Sequence, residues 1–290
     1  MSDITVAQAF TDFLTEISAS EYHIETLIPA RKKSVIENLE ETFTKDTDMP
    51  FSRAYLIGSA EKGTIIRPIN DIDVLAVFSN ENNAFDKYRY DSQSFLYRVT
   101  RAYDGYSTQE VGARGQAVRV FFKTGGYVDV APVFWEDGDN YLLPAGDKSW
   151  LTTSPLKANK WFEEKNKELD YRLKHIVRLV KKWNREHSSY FNSFHLETMI
   201  AHTFTSLGTN YRDALVKFFD WAPNTISVYD PGGHSGDLSS YLTYSGRTNA
   251  IQSLNTAHTR SQKAYEAEEA GDYTEAKRLW SIVLGDDFPQ

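Results

Sequence analysis

Residues 58–74 read Gly58-Ser59-Ala60-Glu61-Lys62-Gly63-Thr64-Ile65-Ile66-Arg67-Pro68-Ile69-Asn70-Asp71-Ile72-Asp73-Val74, and this stretch decides the fold. A Gly-Ser turn follows a short apolar strand and precedes a second strand that carries two carboxylates. Side chains alternate between the two faces of a strand, so Asp71 and Asp73 point to the same side. A third carboxylate, Asp129, lies in the strand-like Tyr127-Val128-Asp129-Val130. The pattern predicts a sheet that presents three acidic side chains near a phosphate-binding turn.

Two carboxylates on one face of a buried strand predict a divalent cation. If they were buried and unpaired, Asp71 and Asp73 would repel each other and one of them would take up a proton. A hard cation that prefers oxygen ligands, Mg²⁺ or Mn²⁺, removes that repulsion. Paired metal ions orient the attacking hydroxyl and neutralise the triphosphate in phosphoryl transfer, so two ions are expected. The alternative is a solvated acidic pair on an exposed strand, against which the apolar neighbours and the third Asp argue.

The composition is that of an ordinary globular protein. The chain has 290 residues, of which 41% are hydrophobic and 25% charged, and its formal net charge is −8. No apolar run approaches the ~18 residues that span a bilayer, and the start lacks a signal peptide, so no membrane association is expected. The absence of cysteine excludes disulfides and thiolate zinc sites and fits a cytoplasmic location. The negative charge argues against broad nucleic-acid binding but allows a local basic cleft for a triphosphate.

Hydrophobic periodicity divides the chain into a mixed first half and a helical second half. We predict an α+β (mixed α/β) fold, with a catalytic lobe over residues 1–154 and a helical, substrate-binding lobe over residues 155–290. Asp129 is expected on the second arm of a hairpin, because Gly125-Gly126 is a turn signal. The predicted elements are two helices within 4–46, strands at 55–57 and 72–78, a helix over roughly 85–103, hairpin arms at 117–122 and 127–134, and helices over 156–168, 170–187, 194–207, 210–221, 239–270 and 272–284.

Gly58-Ser59, Asp71-Ile72-Asp73 and Asp129 together resemble the signature of the polymerase-β-type nucleotidyltransferase superfamily. Within it, residues 58–74 are similar to those of bacterial cyclic-oligonucleotide synthases, relatives of animal cyclic GMP-AMP synthase and oligoadenylate synthase. The resemblance implies a bilobal fold, in which an N-terminal helix and a mixed sheet form the catalytic lobe and a C-terminal helical lobe faces it. Later segments agree, so the likeness spans most of the chain; they are residues 179–184, 192–197, 230–231 and 284–289.

The resemblance implies a role for each residue of the catalytic lobe that carries it. Asp71 and Asp73 would hold both metal ions. Asp129 would join the catalytic metal and help to activate the attacking ribose hydroxyl. Gly58 and Ser59 would grip the triphosphate.

The helical lobe would contribute three further residues. Lys181 and Ser193 would hold the phosphates, and Phe194 would stack on a base. Simpler alternatives exist: Lys181 belongs to a basic stripe of the kind that is usually solvated, Ser193 could cap a helix and Phe194 could pack in a core. Lys182 is the fallback for Lys181, because the register along a helix is not fixed within one residue. His195 is expected to be structural. The stripe consists of Lys174, Arg178, Lys181 and Arg185.

Three functions follow as hypotheses. The first is a Mg²⁺-dependent enzyme that joins nucleoside triphosphates into a cyclic di- or trinucleotide, which would switch on a separate effector in bacterial anti-phage signalling. An activating ligand such as RNA would bind outside the cleft, near Lys174 and Arg178. The second is transfer of one nucleotide to RNA, protein or an antibiotic. The third is a non-catalytic nucleotide-binding sensor, against which the intact set of three carboxylates argues.

Overall fold

The computed structural model describes residues 4–111 and 115–290. The helices of the first half are α1 (Val6–Ile17), α2 (Ile28–Thr42), α3 (Gly58–Glu61), α4 (Ala84–Tyr88) and α5 (Ser92–Thr100). The strands are β1 (Phe51–Ile57), β2 (Asp71–Phe78), β3 (Ser107–Val111), β4 (Ala117–Phe121), β5 (Tyr127–Asp137), β6 (Asn140–Pro144) and β7 (Trp150–Thr153). The second half contains α6 (Pro155–Glu168), α7 (Leu173–Glu186), α8 (Ser193–Thr203), α9 (Tyr211–Trp221), α10 (Tyr244–Glu269) and α11 (Tyr273–Leu284).

The seven strands within the described ranges form one mixed sheet. Its main strand order is β1-β2-β5-β4-β3. Strand β6 pairs with the C-terminal part of β5, and β7 pairs with β6. The pair β2 and β5 is parallel, whereas the other pairs are antiparallel. The predicted α+β fold with a mixed sheet is therefore confirmed. The parallel pair is the most important for the site, because it aligns β2 residue by residue with β5, a strand that is distant in the chain.

Several predicted elements differ in extent from the observed ones. The helix expected over 85–103 is interrupted between α4 and α5, where the side chain of Asp91 caps α5 by accepting a hydrogen bond from Ser94 N. The strands β3, β6 and β7 were not predicted. Each has only four or five residues, too few for the alternation of side chains to be distinctive, and pairing with a neighbouring strand stabilises them.

Helix α1 packs against the helical half of the chain, although it begins the sequence. Thr5 caps the helix by accepting a hydrogen bond from Gln8 N at 3.1 Å. The buried ring of Phe10 lies 5.0 Å from the ring of Trp280 and 5.0 Å from that of Phe288, centroid to centroid. Helix α1 therefore shares its hydrophobic core with the helices of the second half of the chain. The predicted boundary between residues 154 and 155 remains a prediction. Residues 6–17 precede that boundary in the chain but pack against residues that follow it.

The sheet has its own core, built from apolar side chains of β2, β4 and β5 and covered by α2 and α5. Ile72, Val74, Val128 and Val130 are fully buried there. These residues alternate with the acidic ones, so the sheet buries one face and offers the carboxylates on the other. Within the described ranges no helix is long and apolar enough to cross a membrane.

Candidate active site

The turn between β1 and β2 requires glycine at position 58. Gly58 has a φ of +67°, a left-handed conformation that glycine adopts without strain. A Cβ built on Gly58 would lie 2.2 Å from Asp73 Oδ2, so any other residue there would push the Asp73 carboxylate out of place. The close approach places Gly58 and Ser59, the first residues of α3, directly beside the carboxylate strand.

The three predicted carboxylates share one face of the parallel pair. Asp73 on β2 lies opposite Asp129 on β5, and Asp71 lies opposite Tyr127. Burial is the main cause that raises the pKa of Asp73 to about 7, and the negative charges of Asp71 and Asp129 contribute to the same increase. The three acids therefore interact electrostatically, as the predicted alternation requires.

Asp129 is already paired with a cation from the neighbouring strand. The guanidinium of Arg119 on β4 donates to both carboxylate oxygens of Asp129, with both distances 2.8 Å. The same guanidinium lies 3.7 Å from the centroid of the Tyr127 ring. In the part of the chain that the structure describes, no three acidic or histidine side chains converge closely enough to surround a metal ion. The carboxylates are neighbours on the sheet, and Arg119 is hydrogen-bonded to both oxygens of Asp129.

Two cavities flank the carboxylate strand. The first has a volume of about 300 Å³ and a mostly polar lining, and the second has about 280 Å³ and includes more apolar groups. Asp71 faces the first cavity and Asp73 the second. Residues that line the first include Ser59, Asp71, Lys181, Asn184, Arg185 and Ser193. Residues that line the second include Gly58, Lys62, Asp73, Pro155, Ala158 and Phe194.

The residues predicted from the helical lobe reach these cavities. Ser193 is the first residue of α8, and the cap position belongs to Asn192, so the alternative of Ser193 as a cap is wrong. Phe194 is half-buried on the wall of the second cavity, with the Lys62 ammonium 5.2 Å from its ring centroid. His195 is buried and hydrogen-bonded to the Ile226 carbonyl at 2.7 Å, which confirms its structural role.

Lys182, the fallback for Lys181, lies elsewhere. Its ammonium pairs with Glu186 at 2.6 Å and with Asp287 at 2.9 Å. Asp287 belongs to the segment after α11, so this ion pair links that segment to α7. Lys181, and not Lys182, lines the first cavity, and its role at the phosphates remains a prediction.

Lys181 belongs to a buried cluster of charges that was not predicted from the sequence. Glu197 on α8 forms ion pairs with both Lys62 and Lys181 and accepts a hydrogen bond from Thr64 Oγ1 at 2.6 Å. Burial alone would raise the pKa of Glu197, but the two lysines outweigh it and lower the pKa to about 2. The cluster joins the loop after α3 to α7 and α8. The sequence feature that could have indicated this cluster is Glu197, an acidic residue within the largely apolar run 196–201, since a buried acid needs a cationic partner.

The cations of the basic stripe on α7 have partners on other elements of the chain. Lys174 pairs with Glu163 at 2.7 Å, and Arg178 donates to the Gly63 carbonyl at 2.8 and 3.1 Å. Arg185 donates to the Arg67 carbonyl at 2.6 Å. The solvated-face alternative therefore fails for the buried Lys181 but holds for the exposed Arg185. Lys174 and Arg178, the two cations suggested for an RNA activator, have partners within the chain.

Arg119 is the other functional residue that the sequence analysis missed. It is the single charged residue in the apolar strand Ala117–Phe121, and the hairpin register places it opposite Asp129. The pairing could have been predicted, because an isolated arginine on one arm of a hairpin can lie opposite an aspartate on the other arm.

The fold and the site define a class of protein: a nucleotidyltransferase, with paired carboxylate strands and a Gly-Ser turn facing a cleft between a sheet and helices. Residues 4–166, more than half of the chain, match the model of the Second Messenger Oligonucleotide or Dinucleotide Synthetase domain, and the chain belongs to that family. The predicted activity, synthesis of a cyclic oligonucleotide second messenger by a nucleotidyltransferase, is confirmed at this level.

Curated relatives and solved structures agree. The chain is 27% identical over 288 residues to a cyclic AMP-AMP-AMP synthase of Escherichia coli, covering 88% of this chain and 89% of the relative. It is 27% identical over 297 residues to a CBASS oligonucleotide cyclase, CdnC, of another E. coli strain, covering 91% and 89%. Structures of E. coli CdnC, one in complex with HORMA-deltaN and one with ATP, have TM-scores of 0.77 and 0.76 at 20% and 19% identity. They cover 98% and 99% of this chain and 97% and 99% of the solved chains, and this likeness shows the fold.

Proposed function

We propose that the protein joins nucleoside triphosphates, with Mg²⁺ or Mn²⁺, into a cyclic di- or trinucleotide and releases pyrophosphate. The observation that carries the proposal is that Asp71, Asp73 and Asp129 share one sheet face, with Asp71 lining one cavity and Asp73 the other. One cavity suits a phosphate chain and the other an aromatic base. The relatives named as a cyclic AMP-AMP-AMP synthase and as an oligonucleotide cyclase support a cyclic product.

The donor set suits a hard divalent cation. Asp71 and Asp73 supply carboxylate oxygens. Burial first, and repulsion from Asp71 second, raise the pKa of Asp73, and a cation between the two carboxylates would offset both effects. Such ions, when bound, would neutralise the triphosphate and acidify the attacking hydroxyl. Asp129 would become the third ligand when its carboxylate separates from Arg119. Arg119 would then remain near the site, held over the Tyr127 ring.

The protein's own residues position the nucleotide. The Ser59 hydroxyl would donate to the phosphates from one wall of the first cavity, with Ser193 and the charge of Lys181 on the opposite wall. The close approach of Gly58 to Asp73 keeps the adjacent Ser59 beside the carboxylate strand. The half-buried ring of Phe194 would stack on a base in the second cavity. The reacting phosphate would then lie beside the carboxylate strand that separates the two cavities.

The biological setting is part of the proposal. The name of the CBASS cyclase among the relatives supports anti-phage signalling, in which the product activates a separate effector. Triphosphates are cytoplasmic metabolites, so we place the protein in the cytoplasm. A protein activator is favoured over RNA, because a solved relative is in complex with HORMA-deltaN and because Lys174 and Arg178 are already paired within this chain.

A direct assay tests the function. The protein is incubated with the four radiolabelled triphosphates and Mg²⁺ or Mn²⁺, and the products are treated with phosphatase and identified by mass spectrometry. We expect a phosphatase-resistant cyclic product that Asp71→Asn and Asp73→Asn abolish. Asp139→Asn, at an exposed turn before β6, is the matched control and should be active. Linear products only, or label transferred to RNA or protein, would contradict cyclisation.

A further inference from the structure

Strand β1 ends the sheet, and its outer edge has no partner strand among the described residues. It pairs only with β2, and none of its residues is fully buried. The Phe51 N–H donates to the Phe43 carbonyl at 2.9 Å; otherwise, within residues 4–111 and 115–290, the β1 backbone makes no hydrogen bond outside its pairing with β2. Such an edge can accept a further strand, because it offers a row of unpaired N–H and C=O groups.

A cavity of about 560 Å³ runs along this edge. Three consecutive residues of β1 line it, Ala54, Tyr55 and Leu56. Successive side chains of a strand point to opposite faces, so three in a row indicate that the cavity follows the edge of the strand and not one face. Helix α2 borders the cavity through Lys32, and helix α6 borders it through Lys160. The strand edge therefore lies next to open space between two helices.

A second, mainly apolar cavity of about 300 Å³ adjoins the first. The two cavities share Lys32, Leu56 and Glu61, and apolar residues that line the second include Ile24 and Ile28. We call the two cavities together the edge groove. An apolar pocket beside a charged stretch is the usual anatomy of a protein interface, in which one buried side chain anchors a partner and polar groups surround it.

The free charge of the edge groove is positive, although the chain carries a formal net charge of −8. Lys174 is neutralised by Glu163 at 2.7 Å, and Lys62 pairs with Glu197. The lining of the larger cavity contains three more charged residues, and none of them forms an ion pair with another described residue. They are Lys32, Lys160 and Glu61. Two ammonium groups, one from each bordering helix, thus outnumber one carboxylate.

We propose that the edge groove binds an extended, acidic segment of a partner protein, which adds a strand to β1. Carboxylates of the segment pair with Lys32 and Lys160, its backbone bonds to the outer edge of β1, and an apolar side chain enters the adjoining cavity. A second copy of this chain fits less well, because edge-to-edge pairing would bring the same lysines together. Lysines also protect sheet edges from pairing, but that role requires no cavity beside the strand.

The position of the groove connects it with the candidate active site. Ala60 lines the apolar cavity and Glu61 lines both cavities, and the two residues belong to α3, which begins with Gly58 and Ser59. A bound segment would therefore contact the helix that carries the Gly-Ser turn. Binding itself does not depend on the reaction that the protein catalyses, so the inference stands or fails separately from the proposed function.

A phage library of random dodecapeptides is the probe, and it is selected on the wild-type protein in EDTA. Enriched peptides are synthesised with a fluorescent label, and their dissociation constants are measured by anisotropy. The test variant is Lys32→Glu with Lys160→Glu. The control is Lys45→Glu with Lys263→Glu, which makes the same change of charge at two exposed lysines that have no ion pair among the described residues. Hydrogen exchange over residues 51–57 reports on the strand edge.

We expect the enriched peptides to combine Asp or Glu with one large apolar residue. The test variant should bind them about tenfold more weakly or worse, and the control within about twofold of wild type. Methylating the backbone nitrogens of alternate peptide residues should weaken binding about tenfold in one of the two registers, because it removes bonds to the strand edge. The bound peptide should slow hydrogen exchange over residues 51–57.

Four results would overturn the inference. They are the absence of any enriched peptide, equal binding to the test variant and the wild type, enrichment of basic peptides, and unchanged exchange over residues 51–57 in the complex. Two other occupants would also be recognised. Protection of β1 in a dimer of the protein alone would assign the groove to a second copy. A labelled oligoadenylate that binds the wild type but not the test variant, when no peptide does, would assign it to RNA.

Discussion

The metal-free protein should become more stable when Asp73 is replaced by Asn. Asp73 lies among two other carboxylates on one sheet face, and its pKa of about 7 means that the folded protein resists ionising it. Asn is nearly the same size and carries no charge, so Asp73→Asn removes the repulsion without leaving a hole. The same change removes a proposed metal ligand, and stability and activity should therefore move in opposite directions.

The size of the effect follows from the two pKa values. A pKa of about 7 in the folded protein, against an ordinary value of 3.8, corresponds to about 4 kcal/mol at neutral pH and above. Asp73 is partly open to solvent, and screening reduces the expected gain to about 1–3 kcal/mol. For a chain of this size that gain raises the melting temperature by about 2–8 °C.

The sign of the pH dependence is also determined. An acid with a raised folded pKa contributes stability that is complete below pH 4 and is lost as the pH rises through about 7. The advantage of Asp73→Asn over wild type should therefore be small near pH 4, grow up to pH 7 and stay constant above it.

The assay is thermal unfolding in EDTA at several pH values, with Asp139→Asn as the control for losing one exposed negative charge. Adding Mg²⁺ should stabilise the wild-type protein and leave Asp73→Asn unchanged. A melting temperature of Asp73→Asn at pH 8 that equals or falls below that of wild type would refute the reasoning. So would an advantage of the variant that does not change between pH 4 and pH 8.

Three further changes have defined outcomes. Glu197→Gln leaves two buried lysines without their shared carboxylate and should destabilise the protein by about 3–5 kcal/mol in urea unfolding; a loss under 1 kcal/mol would mean that water reaches the cluster. Gly58→Ala drives a methyl group into Asp73 and forces a left-handed backbone, so product formation should fall more than 100-fold, and wild-type activity would disprove the close approach. Arg119→Met frees Asp129 and should tighten Mn²⁺ binding, measured by electron paramagnetic resonance, whereas weaker binding would show that Arg119 orients the carboxylate for the metal.

Some features of the site could be predicted because they depend on local geometry. Asp71 and Asp73 had to share a strand face, since side chains alternate and their neighbours Ile72 and Val74 are apolar. The hairpin placed Asp129 on a strand, and the structure confirms that strand. The pairing of Lys182 with Glu186 and Asp287 could not be predicted, because one of its partners lies about a hundred residues away along the chain.

The amino-acid sequence by itself determined the succession of a Gly-Ser turn, a strand with two acids, a hairpin with a third acid and a run of helices. These features come from alternation, helical periodicity and turn chemistry, which act over a few residues. Tertiary structure alone decided that Asp73 lies opposite Asp129, because a parallel pair joins strands that are distant in the chain. It also decided that Glu197 forms ion pairs with both Lys62 and Lys181. Long-range pairing of charges depends on which surfaces meet when apolar groups are buried, and no local pattern records that choice.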